Sequence, residues 1–135
     1  MANALYDKGR EGFLAGEIDW DTGVIKAILI DTADYAVNLA THQFLSDIPG
    51  AARVATSAAL TGKTTTGGIA DAADLTFPAV NGDPSEALVL YQDNGAEGTS
   101  RLIAYIDTAT GLPVIPNGGD IIVAWDNGPN KIFKI

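Results

Sequence analysis

The sequence predicts a mainly β fold, on three observations. Apolar runs rich in Ile, Val, Leu, Tyr and Trp recur along the chain, and these residue types favour a pleated, half-buried surface. Several runs stop at an aspartate followed by turn residues, because short Asp and Asn side chains hydrogen-bond to nearby backbone in turns. Of the 17 acidic residues, 13 are Asp and only 4 are Glu, which fits turns better than helix surfaces. The aspartates that end these runs are Asp31, Asp93, Asp107 and Asp126.

Length and composition bound the domain organisation. A chain of 135 residues is expected to form a single domain over residues 1–135. It has no cysteine, which excludes a disulfide framework, a thiolate nucleophile and a zinc site of the cysteine type. Its first residues lack the pattern of a secretory signal, and no apolar run approaches the roughly 20 residues of a membrane span. We therefore expect a protein that is made in the cytoplasm and is not exported by that route.

The charge balance bears on the class of partner. The formal net charge is −9, which repels phosphate backbones and anionic lipid head groups, so neither nucleic acid nor a membrane is an expected partner. Hydrophobic residues make up 47% of the chain and charged residues only 19%, which is lean in charge for a small domain that stands alone. We therefore expect some apolar surface to lie in a subunit interface, with the chain forming a dimer or a trimer.

Residues 1–16 form the best helix candidate. Leu5, Tyr6, Phe13 and Leu14 fall on one side of a helical wheel, Asn3 is a suitable cap, and Gly16 suits the left-handed conformation that ends a helix. Two glycines inside the segment cost about 1 kcal/mol each relative to Ala, so the helix needs a surface to pack on. Two interpretations remain open: a helix that closes one end of a β-sandwich, or an arm that docks on a neighbouring subunit.

The first half of the chain then predicts two strands and one short helical turn. A nearly continuous apolar run from Val24 to Ile30 suits a central strand, and Tyr35, Val37 and Leu39 alternate as a second strand. Residues 41–47 are predicted to form one helical turn. Thr41 is a suitable cap at its start, and Pro49 prevents the helix from continuing.

The second half predicts strands at shorter intervals. Residues 75–79 alternate, and Pro78 places them at a sheet edge. Consecutive short strands separated by turn signals favour a sandwich or a barrel. The turn at Asp126–Asn130 is the strongest hairpin signal, because Asn-Gly readily supplies positive φ. The four predicted C-terminal strands are Ala87–Gln92, Arg101–Asp107, Asp120–Asp126 and Lys131–Ile135.

Residue chemistry gives little sign of catalysis. Gly62-Lys63-Thr64 resembles the end of a phosphate-binding loop, but Ser57 stands where that motif requires its first glycine. His42 is the only histidine, so its expected role is packing or a hydrogen bond. Acidic pairs such as Asp19 with Asp21 and Asp71 with Asp74 fit strand ends and turns better than a calcium loop or a glycosidase pair. A small enzyme acting on cell-wall polymer remains a rival, but no carboxylate is singled out for it.

Several stretches resemble a family of small structural proteins of tailed-bacteriophage virions, and together they cover nearly the whole chain. The matching stretches are Met1–Tyr6 with Gly9-Arg10 and Phe13-Leu14, Ile18–Trp20, Thr41–Pro49, Arg101–Asp107, and Pro116–Asp120 running into Trp125–Gly128. None of these stretches carries a defined catalytic role.

The resemblance implies a jelly-roll-like β-sandwich that serves as a capsid cement or decoration protein. Such a protein binds the major capsid protein on the outer surface of the virion and stabilises the assembled lattice by mass action, without catalysis, cofactor or metal. The alternative is a tail or fibre-base module that contacts a protein or a host glycan, for which exposed Trp or Tyr faces are needed. The contacts we predict for the cement function are Leu5, Tyr6, Arg10, Phe13 and Trp20.

Overall fold

The computed structural model of this chain describes residues 4–126, 128–129 and 131–135. The fold is mainly β and contains a multi-stranded antiparallel sheet. Among the described residues one α-helix, α1, spans Asp7–Leu14, so the helix predicted within residues 1–16 is too long: Leu5 lies in a short strand and Tyr6 precedes the helix. The strands are β1 (Ala4–Leu5), β2 (Ile25–Ile30), β3 (Arg53–Thr56), β4 (Ile69–Ala70), β5 (Leu75–Phe77), β6 (Ala87–Gln92), β7 (Arg101–Ile106), β8 (Ile121–Val123) and β9 (Phe133–Lys134).

Five strands form the main sheet, in the order β1-β7-β6-β2-β3, and every neighbouring pair is antiparallel. The inner strands are buried along almost their whole length on both faces, which explains why their sequences are apolar without clear alternation. This confirms the expectation that the run ending at Ile30 is a central strand. The bounds predicted for β6 match those observed.

One face of the main sheet, here called the ribbon face, is covered by two short two-stranded ribbons. The ribbons pair β4 with β9 and β5 with β8. Alternate sheet residues such as Ala27, Leu29 and Leu90 share one core with Phe77 and Val123 from the ribbons. The sheet and the ribbons therefore form two packed layers.

The opposite face, here called the loop face, is covered by residues 31–52, which contain no α-helix or named strand. Tyr35, Leu45 and Ile48 pack there against Ile28 and Val89 of the sheet. The segment makes two 3₁₀ turns, at Leu45–Asp47 and Gly50–Ala52. This cover is irregular, so its backbone groups bond to side chains and to the sheet instead of to a ladder.

Polar contacts fix the cover of the loop face. The Tyr6 and Tyr35 hydroxyls lie 2.8 Å apart, and the Tyr35 hydroxyl lies 2.8 Å from Nδ1 of His42. The Arg53 guanidinium donates to the carbonyl oxygens of Leu45 and Ile48 at 2.8 and 2.7 Å. His42 therefore takes the hydrogen-bonding role that the sequence predicts.

The strand predicted at Tyr35, Val37 and Leu39 is wrong. Turns bend the chain before this stretch and within its last part: the Asp31 carboxylate accepts from the Ala33 N–H, and the Asn38 side chain accepts from the N–H groups of Ala40 and Thr41. Asx turns of this kind compete with a sheet ladder for the same backbone donors. The alternating apolar residues Tyr35, Val37 and Leu39 instead pack on the loop-face core from a segment without regular structure.

The helical turn predicted for residues 41–47 is shorter than expected and is capped by a different residue. It spans Leu45–Asp47 as a 3₁₀ turn. The Asp47 carboxylate accepts from the N–H groups of Gln43 and Phe44 at 2.8 and 3.0 Å, and these bonds lower its pKa. The side chain that caps the turn is therefore Asp47, at its C-terminal end, and not Thr41.

The predicted C-terminal hairpin is also wrong. β8 pairs with β5 and β9 pairs with β4, so the turn near Asp126 joins two different ribbons. The Gly128 N–H still donates to the Asp126 carboxylate, as in an Asx turn. Asn127 and Asn130 of that turn, like the predicted cap Asn3, lie outside the described residues. No helix in the described part of the chain is long and apolar enough to cross a membrane.

Candidate functional site

An open apolar groove lies between the C-terminal end of α1 and the β4–β9 ribbon. Its volume is about 510 Å³, within the roughly 300–1,000 Å³ range of ligand sites. The walls combine the end of α1, residues 16–21, residues 65–68 and the two ribbon strands. The large apolar side chains that line it are Phe13, Ile18, Trp20, Ile69, Phe133 and Ile135.

Three aromatic rings make the floor of the groove. The Trp20 ring meets the Phe133 ring edge to face, with centroids 5.3 Å apart, and the Phe13 ring lies 6.0 Å from Phe133 on a tilted plane. The Trp20 indole N–H donates to the Thr64 carbonyl oxygen at 3.2 Å. These ring contacts and the hydrogen bond fix the orientation of the three rings, so the floor of the groove is preformed without a partner.

Two glycines bring α1 close enough to form the groove wall. A Cβ on Gly9 would lie only 2.8 Å from the Ile103 carbonyl oxygen, and one on Gly12 would lie 2.6 Å from Cδ1 of Ile18. Any side chain at Gly9 would therefore push the helix off the backbone of β7. The glycines that weaken the helix in isolation are required for its packing, and Gly16 ends it with a φ of 73°, as predicted.

The segment that follows the helix is fastened to the end of β6 and the start of β7. Gln92 accepts from the Asp19 N–H at 2.7 Å and donates to the Glu17 carbonyl oxygen at 2.9 Å. The Arg101 guanidinium pairs with the Glu17 carboxylate and also donates to the Lys8 carbonyl oxygen. These contacts hold the rim of the groove in one position.

The rim is acidic. The hydrogen bond from the Thr22 hydroxyl, and then that from the Thr22 N–H, lower the pKa of Asp19, so its carboxylate is charged at neutral pH. Asp21 also lines the groove and is exposed. The arrangement suits binding of an apolar group next to positive charge.

The predicted contact residues fall into separate places. Phe13 and Trp20 line the groove, and Phe13 is half-buried. Leu5 and Arg10 line a second cleft, of about 280 Å³, where the exposed Arg10 also pairs with Asp7. Tyr6 lies fully buried on the loop face, so it offers no surface to a partner in this fold.

The sequence did not show that the C-terminal strand pairs with β4 and forms the other side of the groove. Ile69 and Ile135 are partly exposed in the groove, and Phe133 forms its centre. The signal for them was the apolar pair at Ile132 and Phe133 followed by Ile135, but strand partners decide which face such residues share. That pairing, β4 with β9, joins segments far apart in the sequence.

The remaining motifs with possible chemistry have structural contacts. The Lys63 ammonium donates to the Gly23 carbonyl oxygen, and Thr64 forms a β-bridge with Asp71. The Asp74 carboxylate accepts from the Trp125 N–H at 3.2 Å, as expected for a turn residue. These contacts give the Gly-Lys-Thr stretch a structural role, and the helical turn that follows it, Thr66–Gly68, is a three-residue 3₁₀ turn and not the α-helix whose N-terminus binds phosphate.

One acidic cluster has the composition of a cation site. Carboxylate oxygens of Asp31, Asp34 and Asp83 lie within 4.8 Å of one another. Oxygen ligands of this type suit Ca²⁺ or Mg²⁺. The Asp31 carboxylate already accepts from the Ala33 N–H at 2.9 Å, and the other two aspartates are exposed.

Neither protein-family models nor curated protein sequences give a match to this chain. The phage resemblance therefore stays a prediction, and a functional hypothesis depends on it together with the groove.

Proposed function

We propose that this chain is a non-catalytic structural protein of a tailed bacteriophage, a cement or decoration protein on the outer surface of the capsid. It is made in the host cytoplasm, oligomerises, and binds the major capsid protein of the assembled lattice. The observation that carries the proposal is the apolar groove with an acidic rim, because it provides a preformed docking surface. The resemblance of most of the sequence to small phage structural proteins supports a location in a phage virion.

The mechanism is mass action on the lattice. A protein that binds only the assembled, expanded lattice stabilises it by RT ln(1 + [L]/Kd), about 2.7 kcal/mol per site at a hundredfold excess over Kd. The net charge of −9 is compatible with a position outside the shell, where packaged DNA is not in contact.

A jelly-roll-like sandwich is the finer fold that accompanies this proposal. Its support is the common core of the main sheet and the two ribbons, which gives two layers facing each other. Short strands, of two or three residues in each ribbon, limit the exposed edges that lead to uncontrolled pairing.

The burial of aromatic residues favours the cement function over a glycan-binding tail module. Stacking on sugars needs an exposed ring face. All Trp and Tyr side chains of the chain lie among the described residues, and each is less than one-tenth exposed. These residues are Tyr6, Trp20, Tyr35, Tyr91, Tyr105 and Trp125.

Cryo-electron microscopy of purified virions tests the proposal. We expect density of this size at regular positions on the outer surface of the head. Density in the tail would favour the alternative module, and absence of the protein from the particle would overturn a virion function altogether. Addition of the purified protein to expanded capsids that lack it, followed by sedimentation, provides an independent measure of lattice binding.

A further inference from the structure

The groove brings several partly exposed apolar side chains together in one concavity, whereas other exposed ones, such as Leu14 and Ile115, lie outside it. Ile135 is 66% exposed, while Phe13 and Ile69 are half-buried at the same place. A preformed apolar concavity with ordered walls favours an apolar group from a partner, because its burial costs little reorganisation of the chain. An aromatic or branched aliphatic side chain is the chemical class that this floor accommodates.

The charge at the rim favours partners whose residues next to the apolar side chain are basic. Asp19 and Asp21 lie together on one rim of the groove, and Asp19 is fixed in place by Thr22. The Lys63 ammonium, whose charge acts on Asp19, also donates to the Gly23 carbonyl oxygen. A partner that brings Lys or Arg beside its apolar anchor gains from this field, whereas one that brings Asp or Glu meets repulsion.

We propose that the groove binds a segment of the partner protein in which an apolar anchor is flanked by basic residues. This inference rests on the proposed function, where that partner is the capsid protein. The anchor packs on Phe13, Phe133 and Ile135, and the flanking cations pair with Asp19 and Asp21. Apolar burial supplies most of the affinity, and the charges supply selectivity and faster association.

A second copy of this chain is a poorer occupant of the groove. Each copy carries a formal net charge of −9, and a copy docked here brings further negative charge to an acidic rim. Self-association through another surface remains compatible with the proposal.

The experiment uses the full chain and two blocked synthetic peptides that share a Leu-Phe-Leu centre. One peptide has lysines on both flanks and the other has glutamates. Binding is followed by NMR chemical-shift changes and by fluorescence anisotropy at about 50 mM salt, where screening is weak. We expect the basic peptide to bind at least about tenfold more tightly, with shifts centred on Phe13, Ile69 and Ile135, and to weaken as salt rises.

Two pairs of matched variants locate the effect. Ile135→Asn should weaken binding of the basic peptide by about tenfold, while Ile122→Asn, whose side chain is equally exposed but lies on β8 away from the groove, should not. Asp21→Lys should abolish the preference for the basic peptide, while Asp83→Lys makes the same change in net charge outside the groove and should leave the preference intact.

Three outcomes would overturn the inference: equal binding of both peptides, shifts that avoid the groove, or dimerisation that Ile135→Asn alone abolishes. Failure of the proposed function looks different. If the basic peptide binds in the groove but the protein is absent from phage heads, the groove chemistry stands and the capsid assignment falls. If density is found on the head but the protein binds both peptides equally, the capsid assignment stands and the proposed groove chemistry falls.

Discussion

The two faces of the main sheet are covered in different ways. On the ribbon face, short strands lay Phe77, Val123 and Phe133 onto the sheet, and contacts there are mostly apolar. On the loop face, residues 31–52 combine apolar packing with buried polar contacts, including the Tyr6–Tyr35–His42 chain. The difference indicates that the ribbon face contributes stability mainly through burial, whereas the loop face depends on specific hydrogen bonds for its shape.

The largest expected effect is on the ribbon face. Phe77→Ala removes a fully buried ring between the layers and should lower the free energy of unfolding by about 3–5 kcal/mol, since the cavity cannot close completely. Urea denaturation followed by fluorescence measures this. Thr76→Ala, at the exposed neighbouring position on β5, is the control and should change stability by less than about 0.5 kcal/mol. A loss below about 1 kcal/mol for Phe77→Ala would show that the ribbons contribute little to the core.

A smaller effect is expected in the centre of the loop face. Tyr35→Phe removes the hydroxyl that joins Tyr6 to His42 and should cost about 1–3 kcal/mol, because buried partners lose a hydrogen bond. Tyr6→Phe should cost less, since the Tyr35 hydroxyl keeps His42 as its partner. If both variants have the stability of the parent in thermal unfolding, the loop face is held by apolar packing alone and the contrast between the faces disappears.

The smallest effect is the acid sensitivity of the loop face. Hydrogen bonds from the Gln43 and Phe44 N–H groups lower the pKa of Asp47 below its unfolded value. Its contribution is therefore fully present above about pH 4, near the ordinary Asp pKa, and is lost as the pH falls through the folded pKa. We expect the protection of residues 43–48 against amide hydrogen exchange, taken relative to the intrinsic exchange rate at each pH, to fall on acidification before that of the main sheet. Asp47→Asn should remove most of this pH dependence, and unchanged dependence would assign it to other carboxylates.

The same contrast explains how much of the fold is predictable from the sequence. The bounds of β6 and the central position of β2 follow from long β-prone runs, whose burial on both faces leaves a strong local signal. On the loop face, alternation at Tyr35, Val37 and Leu39 predicts a strand that does not form. There, Asx turns at Asp31 and Asn38 determine the path of the chain, and periodicity carries no information about them.

The candidate site was predictable only in part, for a related reason. Phe13 and Trp20 were singled out from the sequence, but the other side of the groove comes from β4 and β9. Strand pairing between remote segments has no local signature, so the hairpin signal near Asp126 led to the wrong partner for β9. The acidic residues were noted in the sequence, but their position at the groove was not predicted. That position depends on hydrogen bonds of Asp19 with Gln92 and Thr22.

Because the groove joins residues 13–21 to residues 133–135, it exists only when both segments are folded against each other. Contacts of such long sequence separation form late and slowly, since a large loop must close first. A molecule in which residues 133–135 have not docked lacks one wall of the groove. The presence of the groove therefore reports that these two remote segments have docked against each other.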